Sequence, residues 1–249
     1  KNTENMVITD PRVLEVVLRM VREQTDDVIV VESDNNSGTG DDRVKKSGVL
    51  DVIEGCGARF LNLSRDDYKE HEVEEGLVIK IPETLLEAEY FINLPKIKTC
   101  IIENTFVTMA MKNMFGVLAD RKKMLFHKKL MEVLLYINRL IHQDMIIVDG
   151  VVAMEGLGPV WGKPVQLNLI VSGFNPVTVD AVCCRIMEIN PYAVEALWRA
   201  YKMGLGEIDT DRIEVLGVKI EDVRQRFSHP VFMTKNITGA IRTALKTYL

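Results

Sequence analysis

An α/β fold is the expectation for this chain: a largely parallel sheet with helices on both faces, in a single compact domain. Three observations lead there. Short β-rich apolar runs alternate with segments of helical period. The run Met145-Ile146-Ile147-Val148 is continuously apolar, as a strand covered on both faces is. No internal repeat or low-complexity linker divides the sequence.

In chain order, a helix over residues 11–25 opens on Asp10 ahead of Pro11, an N-cap followed by a first-turn proline. A strand over 28–32 runs into the polar stretch Glu32-Ser33-Asp34-Asn35-Asn36-Ser37-Gly38-Thr39-Gly40. A helix over 43–54 and strands over 58–63 and 77–81 follow, and a strand over 90–94 leads into Asn93-Leu94-Pro95-Lys96-Ile97-Lys98. Helices are predicted over 105–115, with Gly116 placed for a left-handed C-cap, and over 122–141. The strand over 145–151 ends in Asp149-Gly150, and another spans 167–172. Asn175-Pro176 opens a helix over 176–187, a second over 191–203 stops at Gly204, and a last strand covers 213–216. Residues 1–228 make the domain, with a helical C-terminal extension over 229–249. Ligands of such sheets bind beyond the carboxyl ends of the strands, where the three polar loops after 28–31, 91–92 and 146–148 would share one edge if their strands are parallel neighbours.

With 249 residues the chain can bury roughly 75% of its unfolded surface, so stability needs neither disulfides nor a metal staple. The net charge of −5 argues against bulk nucleic-acid binding. No apolar run approaches the ~20 residues that span a bilayer, and Lys1–Thr9 lacks the apolar core of a signal peptide, so a soluble cytoplasmic protein without a membrane partner is expected. Cys56, Cys100, Cys183 and Cys184 show no Cys-x-x-Cys spacing, and all four are read as reduced and mostly buried. No cofactor and no metal ligand set is assigned.

The residues able to do chemistry gather between Asn93 and Gly116. Pro95 keeps Leu94 extended, so Lys96 and Lys98 project to one side. Two adjacent ammonium groups repel unless an anion or a pair of carboxylates lies between them. That suggests recognition of a phosphate or carboxylate; two solvated lysines are the plainer account. Thr105, Thr108 and Lys112 fall within about 60° on a helical wheel, whose other directions are apolar. Such a stripe faces water or a polar site. Burial would turn Lys112 towards a general base, whereas snorkelling from the helix end would leave it an ordinary cation. His127 sits among Met124, Met131 and Leu134 at helical spacing, a core histidine or a proton carrier, with Lys123 four residues earlier to keep it neutral. Asp149 ends a buried strand and Glu155 follows in a glycine-rich loop. Asp180 shares a face with Val177, Ala181 and Cys184, where a site lysine or backbone amides near its helix start would partner it. The Gly38-x-Gly40 loop matches neither a P-loop nor a dinucleotide fingerprint.

The string Asn93-Leu94-Pro95-Lys96-Ile97-Lys98-Thr99, followed by Met111-Lys112-Asn113-Met114-Phe115-Gly116, resembles the core signature of the domain of unknown function 362 family. Thr9-Asp10-Pro11, His127, Val148-Asp149-Gly150, Met154-Glu155-Gly156-x-Gly158-Pro159, Asn175-Pro176-Val177-Thr178-Val179-Asp180-Ala181 and Gly204-Leu205-Gly206 fit in order, over roughly residues 7 to 225. The resemblance implies no established activity. Some members carry ferredoxin-like cysteine runs, which this sequence lacks. Cys100 stands where members commonly have histidine, and the family usually begins with a strand ending in Lys-Pro-Asn, whereas this sequence opens at Lys1-Asn2.

Three functions follow as expectations. The first is an enzyme of isomerase or lyase type on a small anionic molecule. In it Lys112, His127 and Asp180 carry catalysis, and Asn93, Lys96, Lys98, Thr105, Thr108, Asn113, Asp149 and Glu155 bind substrate. The second is a redox or iron–sulfur accessory protein working beside a ferredoxin-like partner, with Cys100 as its contributor. The third is a non-catalytic module using the same anion site.

Overall fold

The computed structural model describes residues 7–101 and 105–228, so the predicted extension over 229–249 lies outside the described residues. Helices and sheets of parallel and mixed strands alternate in an α/β architecture. Helix α1, Pro11–Arg22, begins as expected, with the Asp10 carboxylate accepting from the Arg12 amide and proline in its first turn. Strand β1, Ile29–Glu32, pairs in parallel with β2, Arg59–Asn62, and between them lie two short helices, α2 (Gly40–Lys46) and α3 (Val49–Gly55). One continuous helix was predicted there. Gly48, at φ +73°, breaks it, since the left-handed region favours glycine and cannot continue a right-handed helix.

Strands β3, Tyr68–Glu74, and β4, Leu77–Pro82, form an antiparallel hairpin, followed by the single turn α4, Glu83–Leu86. The first strand of the hairpin was not predicted: its sequence, Tyr-Lys-Glu-His-Glu-Val-Glu, is charged and largely exposed, and it pairs because β4 supplies the apolar side.

The central sheet is built on β8, Met145–Glu155. Strands β5, Ile92–Asn93, and β6, Lys96–Thr99, follow one another in parallel along β8, with Ile92 opposite Met145 and Lys96 opposite Asp149. Strand β7, Val107–Thr108, is antiparallel to β6, and β9, Lys163–Gly173, is antiparallel to β8. Helix α5, Ala110–Asn113, follows β7; α6, Leu130–Leu140, precedes β8; and α7, Pro176–Ile186, and α8, Glu195–Lys202, follow β9. The last short helix is α9, Ile220–Val223. Residues 213–216, predicted as a strand, pair with no strand among the described residues, and Val215 and Leu216 are exposed. The predicted left-handed glycine is present at Gly204, at φ +72°, but not at Gly116, which lies inside a 3-10 turn, Met114–Val117.

Three apolar clusters hold these layers together. The largest joins the central sheet to α5, α6, α7 and α8, and contains Cys183 and Cys184. A second lies between the β3–β4 hairpin and α6, and a third between α1, α3 and the β1–β2 pair. No disulfide joins Cys56, Cys100, Cys183 and Cys184; Cys56 is partly exposed and the others are buried.

Candidate functional site

The ladder that carries the lysines is pinned from several distant points in the sequence. Lys96 Nζ lies 2.5 Å from Asp149 Oδ2, with Lys96 3% exposed and Asp149 fully buried. The same oxygen accepts from the Asp10 amide at 2.7 Å, and Asp149 Oδ1 accepts from the Val151 amide. Thr9 Oγ1 donates to the Leu94 carbonyl beside this knot. The pair therefore ties α1 to the centre of the sheet. Lys96 and Asp149 were predicted to bind substrate; here each neutralises the other, so the Lys96 charge is spent within the fold.

Lys98 lies two residues further along β6, where strand alternation returns it to the same face. Its ammonium donates to the Val7 carbonyl at 2.9 Å, and no carboxylate lies within ion-pair distance among the described residues. Burial lowers its pKa to about 8; Lys96 and Lys112 push the same way, while Cys100 and Glu32 oppose the shift. Thr108 stands directly across the ladder from Lys98, and its buried hydroxyl has no hydrogen-bond partner among the described residues. Lys112 Nζ reaches Cys100 Sγ at 3.3 Å and Thr105 Oγ1 at 3.4 Å. Lys98, Cys100, Thr105, Thr108 and Lys112 thus form one neighbourhood.

The predicted helix over 105–115 does not exist as such. Phe106 has φ +54°, Val107–Thr108 is strand, and the helix begins only at Ala110. The cause is tertiary. Asp180 reaches across from α7, and its two oxygens accept from the amides of Ala110 at 2.7 Å and Met111 at 2.9 Å. Opposite, Asn93 Nδ2 donates to the Ala110 carbonyl and to Gln143, Asn138 donates to the Met111 carbonyl, and Asn113 donates to Asn93 Oδ1. Both ends of this single turn are therefore held by side chains remote in sequence, and the turn presents Lys112. Asn93 and Asn113, predicted to touch substrate, and Asp180, predicted to be catalytic, are occupied in positioning that turn. Burial raises the Asp180 pKa to about 7 against the lowering effect of the two amides. Asp180 and Lys112 also line one small cleft with Thr105, Val107 and Met111.

His127 is half-buried on the 3-10 segment Lys123–Lys129, tilted against the Phe115 ring at 5.9 Å. Its pKa is lowered by burial and then by the charge of Lys112; the neighbour that keeps it neutral is Lys112, where Lys123 was expected. Lys123 instead turns towards the end of β1, donating to Ser33 Oγ, the Asp34 carbonyl and the Gly116 carbonyl. Sequence reasoning did not single out Ser33, Asp34 and Asn62, which close this second polar cluster where Asp34 accepts from Asn62 and from the Gly40 amide. Their signal was present in the polar loop at the end of β1, but β1 belongs to a different sheet from β6 and β8. Glu155 is not part of the lysine neighbourhood: it accepts from the Ser228 amide at 2.6 Å and holds the segment after α9. Among the described residues no group of three His, Cys, Asp or Glu side chains is arranged to hold a metal ion, and no helix is long and apolar enough to cross a membrane.

The family-like motifs make physical sense in this frame. Thr99 Oγ1 donates to the Gly156 carbonyl and the Ile101 amide to the Gly158 carbonyl, so the glycine-rich loop lies against β6. A side chain at Gly158 would place its Cβ 1.9 Å from the Thr99 carbonyl oxygen. Comparison with known proteins agrees. The chain is 23% identical over 205 residues to the protein named "Thylakoid-associated protein sll1697" of Synechocystis sp., an alignment covering 80% of this chain and 63% of that protein. No solved structure matches. The model of the family described as Domain of unknown function (DUF362) matches residues 1–185, and the chain belongs to that family.

Proposed function

We propose that the chain binds a small anionic molecule, bearing a phosphate or a carboxylate, between Lys98 and Lys112, and that it acts on it by proton transfer. The observation that carries this reading is the pair itself. Two lysines are held near one another around Cys100, and neither makes an ion pair among the described residues. Lysines confined together with no ion-paired carboxylate among the described residues favour an anion between them. The positioning of Lys112 by Asp180, Asn93, Asn113 and Asn138 supports a defined role for its ammonium. His127, kept neutral, supplies a proton acceptor at physiological pH. A cytoplasmic location belongs to the same proposal.

Thermal shifts of the full chain with inorganic phosphate, phosphorylated metabolites and carboxylated metabolites test the binding. Stabilisation of the parent, and its loss in Lys98→Met and in Lys112→Met separately, is expected. Stabilisation that persists in both variants would place the anion elsewhere.

A further inference from the structure

The inward lysines differ in how their nitrogen atoms are used. Lys96 is neutralised by Asp149. Lys123, 6% exposed, directs its nitrogen at three oxygens, the full donor complement of an ammonium. Lys112 faces Cys100 and Thr105. Among the described residues the Lys98 ammonium makes one hydrogen bond, to the Val7 carbonyl, and Lys98 is only partly buried. A neutral amine in that position would satisfy Val7 with one N–H and keep a lone pair for a carbon electrophile.

We propose that Lys98 is an imine-forming amine and that the molecule bound at this site is an oxo acid, its carboxylate lying against Lys112. This rests on the anion-site reading above and narrows it to a substrate class. The lone pair of Lys98 Nζ attacks the carbonyl carbon to give a carbinolamine. The former carbonyl oxygen takes one proton from the attacking nitrogen and one from solvent and leaves as water, so that one C=N bond replaces the C=O bond and no oxidant or reductant is needed. The protonated imine withdraws electrons from the adjacent carbon, and in this proposal neutral His127, which senses the charge of Lys112, accepts a proton released there.

Two further observations fit. The Thr108 hydroxyl, buried and without a partner among the described residues, stands across the ladder from Lys98, where the carbinolamine oxygen needs a hydrogen bond. The groups facing Lys98 are Lys96 on its own strand, Cys100, Lys112 from α5 and Glu32 from β1. With its pKa near 8, Lys98 at pH 8 holds roughly a hundredfold more free amine than an ordinary lysine.

Borohydride trapping tests the proposal. The full chain is incubated at pH 8 with pyruvate, 2-oxoglutarate or acetoacetate, reduced, and mapped by peptide mass spectrometry. One of these probes should leave a near-stoichiometric reduced adduct on Lys98, absent from Lys98→Arg, with the exposed Lys45 and Lys202 at least tenfold less modified. Equal labelling of Lys45, Lys202 and Lys98 overturns the proposal. On the parent alone, the adduct rate should rise with a midpoint near pH 8; a midpoint above 10 also overturns it. Thermal shifts with inorganic phosphate and 2-oxoglutarate run in parallel. Stabilisation that Lys98→Met removes, without any adduct on the parent, overturns imine chemistry and leaves the anion site standing; neither stabilisation nor adduct overturns both.

Discussion

Lys96 and Asp149 meet at 2.5 Å in a place that water does not reach, 53 residues apart in sequence. A buried ion pair of this kind is worth little against an apolar replacement of both partners, yet breaking it leaves one charge uncompensated. Lys96→Met should therefore destabilise the chain by about 3–5 kcal/mol in urea denaturation. The double variant Lys96→Met/Asp149→Asn should recover part of that loss. Additive losses would show that the two side chains act independently.

Asp180 holds two backbone amides in the core, and Asp180→Ala leaves both without an acceptor. Each orphaned amide costs about 1–3 kcal/mol, so the melting temperature should fall clearly. Anion-induced stabilisation should fall with it, because the turn that presents Lys112 loses its anchor. A variant that melts lower but binds as before would separate the anchor from the site.

Stability should depend on pH in two windows of opposite slope. Lys98 and Lys123 have folded pKa values near 8, below the usual lysine value of 10.5. Between pH 8 and 10.5 the unfolded chain holds more protons, so these two residues make stability rise with pH. Asp180, raised from 3.8 to about 7, acts the other way: the folded chain holds the extra proton, and this contribution is lost as pH rises through that interval. The urea midpoint of the parent should increase from pH 8 to pH 10, and Lys123→Met should show a smaller increase, with the Lys98 contribution remaining.

His127 should titrate below the ordinary 6.5 of histidine, followed by proton NMR of its ring. Since burial is the larger cause and Lys112 the second, Lys112→Met should move the midpoint part of the way back. An unchanged midpoint would mean that the two groups do not sense each other.

Gly158→Ala tests the contact between the glycine-rich loop and β6. Its Cβ would overlap the Thr99 carbonyl, a backbone atom that cannot swing aside. A loss of about 1–3 kcal/mol is expected, as for other overpacked sites, together with weakened anion binding. Binding at the parent level would show that the loop does not support Lys98.

Much of this arrangement could be read from local sequence. Asp10-Pro11 and Asn175-Pro176 start helices because a capping side chain and a fixed proline φ act within two or three residues. The apolar run at 145–148 reads as a strand from its β-branched composition and short length, and in it Ile146 and Val148 are buried while Met145 and Ile147 are partly so. The extended geometry after Pro95 and the common side of Lys96 and Lys98 also follow from neighbouring residues. Tertiary structure decided the rest. Whether 105–115 is helix or strand depended on Asp180 taking two amides 69 and 70 residues away, and no periodicity carries that information. Which lysine keeps its charge available depended on Asp149, Val7 and Ser33, brought close only when the sheets assemble. Caps and alternation are short-range and can be read from a string; charge pairing and amide capture across the core depend on distances that exist only after folding.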